Sequence, residues 1–304
     1  MTTAENSAPG PLAWGMLGLL ALIWGSSFIL IKLGLEVFDP LAVGAIRILT
    51  ASLVLTPLSL PVLRKLSGYQ VRWLFITGLV GSFLPAFLFA IAQTRVPSGP
   101  TGVLNALTPI FTLIVGAVIF GQALQRNNIL GIAIGFIGSA IMIMASGKGG
   151  FEQVNYFALF VILATVCYGF NVNILKEKFY VLSPIVITSV SLLFMAPFAL
   201  VILFAFTPFV EQSQTDPAFW PALGYLSILG VVGTAIALII FNQLIKMTTP
   251  LFASSVTYLI PIVALIWGFI FDEPNNIYQP IGMAFILAGV YLGSSKKAKK
   301  QVAR

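Results

Sequence analysis

A chain of 304 residues that is 59% hydrophobic and 8% charged, with mean hydropathy +1.02, is not built to fold in water. A soluble domain carries about a quarter charged residues. The net charge of +7 does not indicate nucleic acid, because the basic residues collect at the ends of apolar stretches rather than on one polar face. There is no histidine, and the single cysteine, Cys167, excludes an intrachain disulfide.

Ten apolar stretches follow one another: 12–35, 40–61, 73–92, 98–120, 128–145, 156–175, 184–206, 219–244, 250–271 and 277–294. A span needs about 20 apolar residues to cross a hydrocarbon core about 30 Å thick. The start, MTTAENSAPGP, lacks a basic n-region and a small-residue cleavage pattern, so the first stretch is expected to stay as a transmembrane helix. The longest connection, 207–218, is too short for a soluble domain. The predicted fold is therefore an all-α membrane protein of ten transmembrane helices.

Charge predicts the orientation. With the N-terminus inside, twelve basic residues face inward, among them Arg64, Lys65, Lys176, Lys178 and Lys246. Two, Arg95 and Lys148, face outward, and Lys32 and Arg47 complete the sixteen. This asymmetry puts both termini in the cytoplasm. The basic tail, 295–304, is expected to be solvated and to fix topology, or to touch anionic lipid headgroups.

The stretches fall into two sets of five, 12–145 and 156–294. An offset of 144 carries Gly169, Lys176, Val181 and Pro184 onto Gly25, Lys32, Val37 and Pro40. An offset of 152 carries Gly230–Thr234 onto Gly78–Ser82 and Pro261–Gly268 onto Pro109–Gly116, and one of 151 carries Gly282 and Gly289 onto Gly131 and Gly138. A repeat of five spans turns its second copy upside down. The expected architecture is thus two inverted five-helix repeats, with a substrate site near the midplane between them.

The interior polar residues indicate what such a site could hold. No acidic residue lies inside a span, so an embedded proton relay has no candidate beyond Glu36 and Glu273 near outer ends. Arg47 lies seven residues past Pro40, about 10 Å deep at ~1.5 Å per residue. Either it faces a cavity and attracts a carboxylate, or it binds helix-end carbonyls and anchors the bundle; its repeat mate is Ser191. Lys32, near the end of its span, is expected to snorkel outward. Pro109, Pro261, Gly81 and Gly233 sit at matched central positions and are hinge candidates, with plain kinks and close packing as the alternative.

At similar depth stand Trp24, Ser26, Ser27, Ser82, Asn105, Thr108, Tyr168, Asn171, Asn173, Thr234, Thr257 and Tyr258. Each alone fits an interhelical hydrogen bond; as a set they fit a cavity for a small polar, partly aromatic or zwitterionic molecule. The candidate substrate-binding residues are Trp24, Ser27, Arg47, Ser82, Asn105, Tyr168, Asn171, Thr234, Thr257 and Tyr258. No P-loop, dinucleotide fingerprint or metal cluster is present, so the sequence gives no catalytic, cofactor-binding or metal-binding residue.

LIWGSSFILIKLGL followed by Pro40 and Arg47, then LTPIFTLIVGAVIFGQ leading into GIAIGFIGSAIM, resembles the EamA-type drug/metabolite transporters. The second half, with YGFNVNILKEK, then YLIPIVALIWGFIFDEP leading into PIGMAFILAGVYL, looks like a second such unit. The resemblance covers roughly residues 12–294 and implies a ten-helix export or exchange carrier in a bacterial cytoplasmic membrane, with its cavity between the two bundles. The family typically ends the fourth span of each unit with glutamate; this chain has Gln122 in the first unit and Glu273 in the second.

The expected function is export or exchange of a small metabolite, an amino acid first, by rocking of one bundle against the other. Arg47 would meet a carboxylate while Trp24 and Tyr168 stack on the organic part, or hold a cation over their faces. An exporter of lipophilic cations and a non-transporting membrane scaffold are the alternatives. Substrate and membrane lipid are the expected partners. The oligomeric state stays open, and a monomer is compatible with the sequence.

Overall fold

The computed structural model describes residues 10–124, 126–145, 155–179, 181–248, 253, 256–273 and 278–294, and the regular elements among them are helical. They are α1 (Pro11–Leu35), α2 (Pro40–Leu63), α3 (Gly68–Gly78), α4 (Leu84–Gln93), α5 (Ser98–Asn105), α6 (Thr108–Val118) and α7 (Arg126–Ala145). Then come α8 (Ala158–Lys178), α9 (Pro184–Phe206), α10 (Phe209–Thr215), α11 (Phe219–Gly230), α12 (Ala237–Met247), α13 (Val256–Ile270) and α14 (Tyr278–Ser294). Among the described residues, seven continuous segments are long and apolar enough to cross a membrane: α1, α2, α3–α4, α5–α6, α8, α9 and α11–α12. Shorter apolar helices lie within α7, α13 and α14. The basic tail, Lys148 and the expected start of the ninth span at Pro250 lie outside the described residues.

Local chemistry explains where the helices begin. Asp39 caps α2, its Oδ1 accepting from the amides of Leu41 (2.8 Å) and Ala42 (3.0 Å), and Pro40 fills the first turn, where no N–H is needed. Ser183 and Pro184 do the same for α9. At α3 the Ser67 and Gln70 side chains cap one another's amides, so the helix starts at Gly68 rather than at the expected 73. The 207–218 connection contains the short α10, whose Phe209 packs on Phe38 and Phe219.

Two spans are interrupted at corresponding places. Between α3 and α4, residues Leu79–Phe83 form a π turn, and between α11 and α12, Val231–Ile236 form another. In the fourth span α5 ends at Asn105 and α6 begins at Thr108, with Pro109 in its first turn. Proline at 109 has no N–H for the carbonyl four residues back, and the Thr108 hydroxyl bonds that Asn105 carbonyl instead (2.8 Å). Pro261 lies within α13. The two prolines matched in sequence are therefore unlike in structure.

Packing follows an exchange of the halves. The second span of each half meets the other, α2 on α9, and so does the fifth, α7 on α14. The α1–α13 contact has its counterpart in α8–α6. Between α7 and α14, a Cβ on Gly138 would stand 2.6 Å from the Ile286 amide and one on Gly289 2.5 Å from that of Gly135, the approach small residues permit where lipid supplies no hydrophobic drive. Leu53, Val118 and Phe269 stand three-quarters exposed on the outside of the bundle, as side chains facing hydrocarbon do.

Candidate functional site

Where the halves meet lies a cavity of about 1200 Å³, counting its open mouth. Of the expected substrate-binding residues, Trp24, Ser27, Arg47, Ser82, Asn105, Tyr168, Asn171, Thr234 and Thr257 line it, and so do Gly81 and Gly233. Tyr258 does not line it and packs against the core. Pro109 and Pro261 are absent from the wall. Ser26 accepts from the Trp267 indole (2.7 Å), and Asn173 binds the carbonyls of Thr112 (3.0 Å) and Gly169 (2.8 Å). Both serve interhelical bonds instead.

The walls are built twice from equivalent parts. Trp24 meets Phe241 edge-on, with ring centroids 5.2 Å apart, and Tyr168 stacks on Phe89 at 5.9 Å. These pairs exchange under the repeat offsets. A Cβ on Gly78 would strike the Ser191 carbonyl, and one on Gly230 would stand 2.6 Å from the carbonyl of Arg47, the repeat mate of Ser191. A Cβ on Gly81 would stand 2.6 Å from the Asn171 amide carbon, and one on Gly233 3.0 Å from Oγ of Ser27, the mate of Asn171. Glycine at these four positions lets the π-turn spans lie against their neighbours.

The π turns also position the polar groups. The amide of Ala237 donates to the carbonyls of Val232 and Thr234, passing over Gly233, whose carbonyl receives the Trp24 indole N–H at 3.1 Å. A buried indole needs such a partner. One residue on, the Thr234 hydroxyl accepts from Arg47 Nε (2.8 Å) and lies 3.3 Å from the carbonyl of Leu229, five residues back. Arg47 is only 9% exposed, and its guanidinium lies beside the Tyr168 hydroxyl. Arg47 thus lines the cavity, held there by a side-chain partner from the other half. Its remaining N–H groups form a fork suited to a carboxylate.

At one end of the bundle Lys32 does not simply snorkel. Its ammonium pairs with Glu273 Oε1 at 3.2 Å, while Oε2 accepts from the Gly99 amide at 3.3 Å. In the other half the position of Glu273 is held by Gln122, whose side-chain amide bonds Asn173 (3.1 Å). One end carries an ion pair and its counterpart a neutral bond.

Sequence reasoning passed over Thr77, Thr188 and Asn242, which also line the cavity; Asn242 donates to the Thr188 hydroxyl at 3.0 Å. Thr188 and Asn242 correspond to Gly44 and Ala90, so comparing the repeats gives no polar match to draw attention to them. Phe89 and Phe241 do correspond, and that match was the available signal.

The pattern of the EamA-like transporter family matches residues 12–144 and 155–295. The "Uncharacterized inner membrane transporter YedA" of Escherichia coli is 28% identical over 261 residues, covering 84% of this chain and 81% of that protein. A "Probable amino-acid metabolite efflux pump" of Salmonella typhimurium is 29% identical over 293 residues, covering 91% and 93%. A "Probable terminal-alkyne amino-acid exporter" of Streptantibioticus cattleyicolor is 24% identical, covering 92% of each chain. A crystal structure with 18% identity superposes with a TM-score of 0.61 over 93% of this chain and 96% of the other, a likeness of fold. With both halves matched and apolar helices throughout, the chain belongs to the EamA-like transporter family and is a multi-pass inner-membrane transporter.

Proposed function

We propose that this transporter exports or exchanges small metabolites, amino acids foremost, by alternating access around the central cavity. In this reading the halves are inverted five-helix repeats with both termini in the cytoplasm. The observation that carries it is Arg47, a buried cation turned into a cavity whose aromatic pairs come from both halves. Such a site takes a carboxylate beside an organic side chain. The names of the Salmonella and Streptantibioticus relatives point to the same class of cargo. A fixed positive charge disfavours lipophilic cations, the second reading, since it repels them across a poorly screened interior.

The cavity wall runs toward Leu175, Thr188 and Asn242, at helix ends that bear Lys176, Lys178 and Lys246. By the positive-inside rule that end is cytoplasmic, so the cavity is loaded from within while the Lys32–Glu273 pair closes the outer end. Alternating access then needs the pair to part and the π turns at Gly81 and Gly233 to flex. Purified protein in vesicles loaded with a radiolabelled amino-acid pool tests the reading. Saturable amino-acid flux is expected; flux of dye cations alone, or none, overturns it.

A further inference from the structure

The two halves of the cavity wall are equivalent in position but opposite in chemistry. At Arg47 one half presents a guanidinium, with the Thr234 hydroxyl as its partner and Tyr168 beside it. At the exchanged position the other half has Ser191, and near it Thr77 and Asn171. Thr77 Oγ1, Ser191 Oγ and Asn171 Oδ1 are buried oxygens without a hydrogen-bond partner among the described residues. The three residues are 6%, 3% and 8% exposed, and all of them line the cavity. A buried polar atom left unbonded is costly, so three on one wall mark a place for hydrogen-bond donors.

They lie together. Gly78, next to Thr77, abuts Ser191, and Gly81, one turn further along the same face, abuts Asn171. These oxygens can all accept hydrogen bonds, and no basic side chain is among them. Three neighbouring acceptors suit a group with three donors, and an ammonium is such a group.

The spacing fits a molecule carrying both charges. Tyr168, beside the guanidinium, and Asn171 are three residues apart on α8, hence neighbours on one face separated by about 4.5 Å along the axis. A carboxylate and an ammonium on the same carbon are of a size to meet side chains from two such neighbouring positions.

We infer that the cavity reads the zwitterion itself. Arg47 takes the α-carboxylate, and Thr77, Asn171 and Ser191 form a neutral subsite for the α-ammonium. The cargo's side chain is left to the aromatic pairs, Trp24 with Phe241 and Phe89 with Tyr168. The inference rests on the amino-acid reading above and sharpens it, since Arg47 alone would accept any carboxylate.

The test uses the full chain in vesicles, with phenylalanine and its deaminated analogue, 3-phenylpropionate, competing for efflux of labelled amino acid. The wild-type protein should favour phenylalanine at least about tenfold, the effect of hydrogen bonds to a charged group. In Thr77→Val/Ser191→Ala the ratio should fall toward one. In Asn171→Asp, which adds a negative charge beside the ammonium, phenethylamine should gain as a competitor. Equal competition by phenylalanine and 3-phenylpropionate in the wild type overturns the ammonium subsite while leaving amino-acid export standing. Absence of saturable amino-acid flux overturns both. The wild-type comparison needs no variant to fold.

Discussion

The Lys32–Glu273 pair gives an ordered set of stabilities. The Glu273 side chain is 2% exposed and that of Lys32 34%, so the partners differ in what each loses when left alone. Lys32→Met strands a buried carboxylate whose remaining bond is the Gly99 amide at 3.3 Å. Breaking a fully buried pair costs about 3–5 kcal/mol; with one partner a third exposed, water relieves part of this, and about 2–3 kcal/mol is expected. Glu273→Gln leaves an ammonium able to turn into solvent, and keeps an amide oxygen for Gly99, at about 0–1 kcal/mol. The double variant removes both charges and should resemble Glu273→Gln, so it regains about 1–3 kcal/mol over Lys32→Met. Thermal unfolding in detergent reads the order: wild type, then Glu273→Gln with the double variant, then Lys32→Met. A Lys32→Met protein as stable as Glu273→Gln, or a double variant no better than Lys32→Met, refutes the reasoning.

Gly78→Ala and Gly230→Ala insert a methyl group against the Ser191 and Arg47 carbonyls, so each should lower stability by about 1–3 kcal/mol in the same melt. Gly224→Ala, where nothing lies within 4 Å, should be neutral or better. Trp24→Phe keeps an aromatic ring but loses the bond to Gly233, and Trp24→Ala loses both; initial efflux per unit of reconstituted protein should fall stepwise, by roughly tenfold for the first. Tyr168→Ala should lower flux more than expression, as shown by comparing vesicle uptake with detergent-solubilised yield. Arg47→Lys keeps the charge but not the Nε donor to Thr234 or the planar fork, so apparent affinity for amino-acid cargo should weaken about tenfold while neutral cargo is unaffected; unchanged carboxylate selectivity would reduce Arg47 to an anchor.

The outline of the bundle was legible because apolar length is a strong signal and lipid-spanning backbone has few options. The cavity was legible for a different reason: polar groups at matched depths in two repeats, such as Trp24 with Tyr168 and Ser27 with Asn171, converge when the halves pack. Residues with an apolar or small mate, Thr188 and Asn242, carried no such signal. The partner of Lys32 was not legible, because Glu273 is 241 residues away and close only after α1 meets α13. Tyr258, one residue past Thr257, packs against the core instead of lining the cavity, a facing that its residue type does not specify. The π turns were hidden as well: GLVGS and GVVGT mark close approach, and nothing in their composition specifies an i−5 hydrogen bond.

Those widened turns tie the two halves together in one respect that side chains do not. A π turn accommodates one residue more than the α turn it replaces. Leu79–Phe83 and Val231–Ile236 correspond under the sequence offset of 152, so the extra width recurs at the same place in each half. The backbone irregularity is shared, while side chains at matched positions, such as Arg47 and Ser191, differ in kind.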